Sequence, residues 1–143
     1  MAAALFQAAV AERGDYAVSS AGVAASKGAR CNPETAAILT KRGIAADGFT
    51  SRQVTGEMLA AATHVFTMTA SHLQMLESRF PEHSDKFYLV CEFVEIPNEG
   101  IGADVPDPIG LGRRAYEEVA EMFDVAIPAI IAYIDQTWKP AAP

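Results

Sequence analysis

Cysteine, tryptophan and histidine are scarce in this chain: two, one and three residues among 143. Cys31 and Cys91 have no spacing typical of a metal site or a disulfide framework, so they read as thiols in a reducing compartment. His64, His72 and His83 do not converge by spacing on a metal, and no metal or cofactor is expected. No glycine-rich phosphate motif is present, which argues against a nucleotide carrier. No run of 18 apolar residues occurs, so no membrane span is predicted. The first residues lack a basic n-region and carry Glu12 and Arg13 where a signal sequence stays apolar, so the protein is expected to be cytoplasmic. Basic side chains are also few, 11 against 18 acidic ones. The net charge of −7 weighs against nucleic acid or an anionic membrane surface as partner.

What is present suits one globular domain spanning residues 1–143, since half the residues are hydrophobic. Met1, Leu5, Phe6, Ala9 and Val10 share one face of a helix, which Gly14 would end in a left-handed conformation. Residues 16–23 (YAVSSAGV) suit a short buried strand. Asn32-Pro33-Glu34 opens a second helix and Lys41-Arg42-Gly43 closes it. Thr55 is placed to cap a short helix, residues 64–68 read as a strand, and Thr69 with Ser71 caps a helix that stops before Pro81. Residues 86–90 form a further strand. Residues 92–111 are rich in Pro, Gly and acids and read as a loop of functional length. A 3.6-residue stripe from Tyr116 through Val119, Phe123, Ile127 and Ile130 to Ile134 predicts a long last helix, kinked near Pro128.

Helices alternating with short apolar strands imply an α/β, Rossmann-like fold, a parallel sheet flanked by helices. Parallel strands need crossovers, yet nothing precedes the first helix, so a strand is expected to be missing from this chain.

Val105-Pro106-Asp107-Pro108-Ile109-Gly110 resembles the acid loop of low-molecular-weight protein tyrosine phosphatases and their bacterial protein-arginine phosphatase relatives. Other segments agree in order: Met1 to Phe6 with the family's first helix, Val18-Ser19-Ser20-Ala21-Gly22 with its second strand, and Ser51-Arg52-Gln53-Val54-Thr55 with the loop before its third helix. Phe66-Thr67-Met68-Thr69, Ser71-His72 and Phe80-Pro81 continue the match.

The resemblance implies hydrolysis of phosphotyrosine or phosphoarginine in proteins through a cysteinyl-phosphate. A Cys-x5-Arg loop ahead of the first helix holds the phosphate, and an acid-loop aspartate, here Asp107, protonates the leaving group. Ser20 matches a serine that braces the phosphate loop, although a serine at a strand end also serves local backbone. Asp107 by itself is equally a turn former, and Asp104 reads as a solvated loop acid. Arg52, Arg113 and Arg114 read as surface charges or anion contacts. Phe49 stands where many relatives carry a supporting histidine, and Ile109 where eukaryotic relatives often carry an aromatic residue.

Neither cysteine supplies the nucleophile, because Ala37 lies six residues after Cys31 and Pro97 six after Cys91. The chain as given is therefore expected to be inactive, a family member shortened at its start, with Met1 falling inside the family's first helix. The missing strand would be the central one. Its neighbours would face each other across ~9.6 Å, and unmade buried bonds of ~1–3 kcal/mol each would weigh heavily against a stability of ~5–15 kcal/mol. A phosphoprotein is the implied substrate of the longer form. The alternative is a pseudophosphatase that binds proteins or forms a homo-oligomer through exposed strand edges.

Overall fold

The computed structural model describes residues 1–22, 33–44, 52–97 and 99–138. The readings placed on Cys31, on the Asn32 cap and on Phe49 lie outside the described residues.

Four helices follow local signals. The first helix, α1 (Ala2–Ala9), buries Ala4 and Leu5. In α2 (Pro33–Lys41), proline fixes the first turn, Glu34 faces the positive end of the dipole and Lys41 the negative end; Gly43 follows at φ 74°. A third helix, α3 (Gly56–Ala61), is capped by Thr55, whose side chain accepts from the Met58 N–H. Strand β1 (Val65–Thr67) leads into α4 (Ala70–Arg79), capped by the Thr69 side chain, which accepts from the His72 N–H. Ser71 does not share that cap. A 3-10 helix (Pro81–Lys86) turns the chain into β2 (Phe87–Leu89).

The β1–β2 pair is parallel, with Phe66 opposite Tyr88, and α4 forms the crossover. This is the α/β arrangement expected from the alternating pattern. Among the described residues α1 is the first element, and no strand comes before it.

The core lies between the sheet and α5 (Arg113–Thr137). This helix buries Tyr116, Val119, Phe123, Ile127 and Ile130 of the stripe read from the sequence, with Ala120 and Ala126 beside them, while Ile134 at its far end is half-buried. It continues through Pro128, because packing of the face around the proline outweighs one lost backbone bond. Leu5 and Ala4 of α1 and Leu39 of α2 join the same core.

Three expectations need correction. First, α1 ends at Val10, whose N–H bonds to Phe6, and Gly14 is not among the left-handed glycines. Arg13 draws the chain away instead, forking between Asp15 at 2.7 Å and Asp135 of α5 at 2.9 Å, while Tyr16 Oη donates to Asp135 at 2.8 Å. Arg13, and next Tyr16, hold the Asp135 carboxyl below its ordinary range.

Second, residues 16–22 are not a buried strand: Ala17, Ser19, Ser20 and Ala21 are exposed, and one parallel bridge joins Gly22 to Gln53. Without a ladder partner, the backbone groups of an extended segment turn to water. Third, the acidic loop contains a short antiparallel hairpin, β3 (Glu95–Ile96) with β4 (Gly100–Ile101), entered at Gly100 and left at Gly102, both at φ near +80°.

His64, just ahead of β1, stacks on Phe66 and Tyr88 and meets the edge of Trp138. Burial among these rings depresses its pKa below 6.5. The neutral ring therefore contributes stability that is complete above 6.5 and is lost as the pH falls through the depressed folded value. Urea titrations of the wild type should show the unfolding midpoint falling as the pH drops below 6.5, and His64→Phe should flatten that slope.

Candidate functional site

The carboxyl end of β1 gathers the features that bear chemistry. In α/β folds, ligands sit at this end of the parallel strands, where helices begin with unsatisfied N–H groups. Three bonds bring the acid loop here. The Gly102 N–H reaches Cys91 O at 3.0 Å, the Val105 N–H reaches Met68 O at 2.7 Å, and the Ala70 N–H donates to Asp104 Oδ1 at 2.9 Å. Ala103 and Val105 point into the core while Asp104 and Pro106 point outward, so the loop lies down as a one-sided extended strip.

Asp107 stands three residues beyond Asp104, exposed, with Oδ1 accepting from the Ile109 N–H at 3.0 Å. This is an Asx turn, and the Leu111 N–H bonded to Pro108 O at 3.0 Å closes the next one. Pro108 restricts Asp107 to extended backbone. Oδ2 takes no hydrogen bond among the described residues and faces solvent, in reach of an incoming group. Gly110 (φ 79°) and Gly112 (φ 88°) bend the chain into α5 and leave Ile109 and Leu111 each 67% exposed beside the carboxylate.

The remaining sequence candidates fall in different places. Ser20 and Arg52 meet: the guanidinium donates to Ser20 O through Nε at 3.3 Å and Nη2 at 3.1 Å. Arg52 is thus tied to the chain near the Gly22–Gln53 bridge. The Ser20 hydroxyl makes no hydrogen bond among the described residues. Arg113 pairs with Glu34 of α2 and Arg114 with Glu118 one turn along α5, so both are surface ion pairs.

Cys91 is fully buried in the core. Burial, reinforced by Glu99 and Asp104, pushes its thiol pKa up, the opposite of what a thiolate nucleophile needs. Asp104 is exposed, as read from the sequence, and its carboxylate in addition fastens the loop to α4, which the sequence did not announce. Its partner lies 34 residues away, and no local pattern announces the bond.

The sequence model of the low molecular weight phosphotyrosine protein phosphatases matches residues 1–139. A protein-arginine-phosphatase of Geobacillus stearothermophilus is 35% identical over 111 residues, which span 75% of this chain and 72% of that protein. The crystal structure of a low molecular weight protein tyrosine phosphatase from T. tengcongensis superposes with a TM-score of 0.83 at 33% identity, covering 92% of this chain and 88% of that one. The arginine phosphatase YwlE, solved as a cysteine-to-serine variant with a phosphorylated active-site serine, gives a TM-score of 0.86 at 28% identity, covering 96% and 88%.

The left-handed turn into α5 admits a direct check. Gly112→Ala places a Cβ at φ 88°, where nothing crowds it but the backbone itself is strained. A loss of about 1–2 kcal/mol in urea denaturation is expected.

Proposed function

Because the chain belongs to the low molecular weight phosphotyrosine protein phosphatase family, we propose that its acid loop is the proton-donating half of a site that removes phosphate from protein side chains, phosphotyrosine or phosphoarginine. Asp107 is the general acid in this reading. The observation that carries it is the anchored loop, which presents a carboxyl oxygen unbonded among the described residues at the carboxyl end of β1.

The chemistry has two steps. A thiolate attacks phosphorus, the P–O or P–N bond to the side chain breaks, and Asp107 gives its proton to the departing oxygen or nitrogen. Water then attacks the cysteinyl-phosphate, giving one proton back to Asp107 and releasing inorganic phosphate and the thiolate. The phosphorylated serine in the YwlE variant supports such a covalent step in a relative.

These 143 residues contain no Cys-x5-Arg loop, and the thiol of Cys91 is buried and held protonated. They supply the acid and not the nucleophile. Assays with p-nitrophenyl phosphate and phosphoarginine should show no turnover for the 143-residue chain. A form extended at its N-terminus by a strand and a Cys-x5-Arg loop should turn over, and Asp107→Ala should then lower its kcat by ~10²–10⁴-fold. Turnover by the 143 residues alone would refute the reading, and an extended form indifferent to Asp107→Ala would remove Asp107 from it.

A second reading, a module that accepts a strand from another copy, draws on one observation. Among the described residues β1 pairs on one edge only. Thr67 O accepts from Val90 N, so alternation turns the Phe66 N–H and C=O toward the other edge. Sedimentation equilibrium of the 143-residue chain should show a dimer or larger species under this reading, and a monomer at all concentrations would exclude it.

A further inference from the structure

Two bonds from adjacent loop residues hold the base of the acid loop to the turn after β1. Val105 N–H bonds to Met68 O, and Ala70 N–H bonds to Asp104 Oδ1. Met68 to Ala70 is the short turn from β1 into α4, and it begins a helix whose third N–H is already taken by the Thr69 cap. A carboxylate on the first N–H of α4 satisfies another orphan donor and opposes the positive end of the helix dipole.

The Gly102 bond to Cys91 O and the buried Ala103 hold the loop on the near side of Val105. The Asp104 bond, displaced from that of Val105 by one residue along the loop and two along the turn, adds a tie to α4 that fixes the rotation of the strip about its own length. The direction fixed at residues 104 and 105 then passes outward with little loss. Pro106 restricts both its own φ and the backbone of Val105, and Pro108 does the same for Asp107. Beyond Val105 no side chain of the loop is buried until Tyr116 in α5, so its aim is decided at the base.

We propose that Asp104 is a positioning residue, fastening the acid loop to the first turn of α4 so that the Asp107 carboxyl stays aimed at the carboxyl end of β1. The proposal rests on the general-acid reading of Asp107. It also makes α4 and the acid loop one unit, so that a change in the first turn of α4 displaces the proton donor.

Amide hydrogen exchange and chemical-shift mapping of the 143-residue chain test the tether directly. Asp104→Ala should raise the exchange rate of the Ala70 amide roughly tenfold, the weight of one such bond. It should also broaden or shift the Asp107, Ile109 and Gly110 signals, while the His72 amide on its Thr69 cap is unchanged. Asp104→Asn, which keeps Oδ1 as acceptor, should restore both. Loop signals unmoved by Asp104→Ala, or moved equally in both variants, would overturn the proposal.

Asp107→Ala separates this from the general-acid reading. The tether does not pass through the Asp107 carboxylate, so Ala70 should stay protected in that variant whatever Asp107 does in catalysis. In the extended form, Asp104→Ala should lower kcat/KM, which reports the first step alone, with a smaller loss for 2,4-dinitrophenyl phosphate, whose leaving group needs no proton, than for phenyl phosphate. An equal loss with both esters would mark Asp104 as merely structural.

Discussion

Burial of one face of α5 is the constraint on which the other elements depend. Phe123, Ala126, Ile127 and Ile130 form the floor against which α1 and α2 settle, and Cys91, Ala103 and Val105 close the same core from the loop side. Each of the other helices is ten residues or shorter, too short to persist alone in water. The stability of α1 and α2 comes from the face they share with α5, and that of α3 and α4 from a second cluster in which Leu59 and Leu76 meet Phe87 of β2. The acid loop is part of this arrangement, because Ala103 and Val105 can occupy the core only if the intervening Asp104 points outward, where the N-terminus of α4 receives it.

The site thus shows a division between rigid and exposed parts. The base of the loop is tied to strand and helix, whereas Asp107, Ile109 and Leu111 stand out from the surface. The combination leaves the Asp107 carboxylate open to solvent while the loop beneath it is held in place. Ile109 and Leu111 add an exposed apolar border on either side of Gly110.

Legibility in the sequence followed the range of the interaction. The caps at Thr55 and Thr69, the Pro33 start, the Gly43 stop and the α5 stripe are written within one or two turns of chain, and all appear where the pattern puts them. The Asp-Pro loop was legible as a motif. What escaped depended on distant partners. Arg13 is drawn to Asp135, 122 residues away, and α1 stops early. Asp104, solvated as read, also finds the Ala70 N–H across 34 residues. Residues 16–22 carry the composition of a strand, but composition does not supply a ladder partner.

The contact between α1 and α5 has a consequence for how the protein folds. Ala4 and Leu5 share a core with Phe123 and Ile127, which lie far along the sequence. A contact of such span must meet its loop-closure entropy before it rewards the chain, so it forms late. The core therefore closes in a step that joins distant segments, after the local caps and turns are in place.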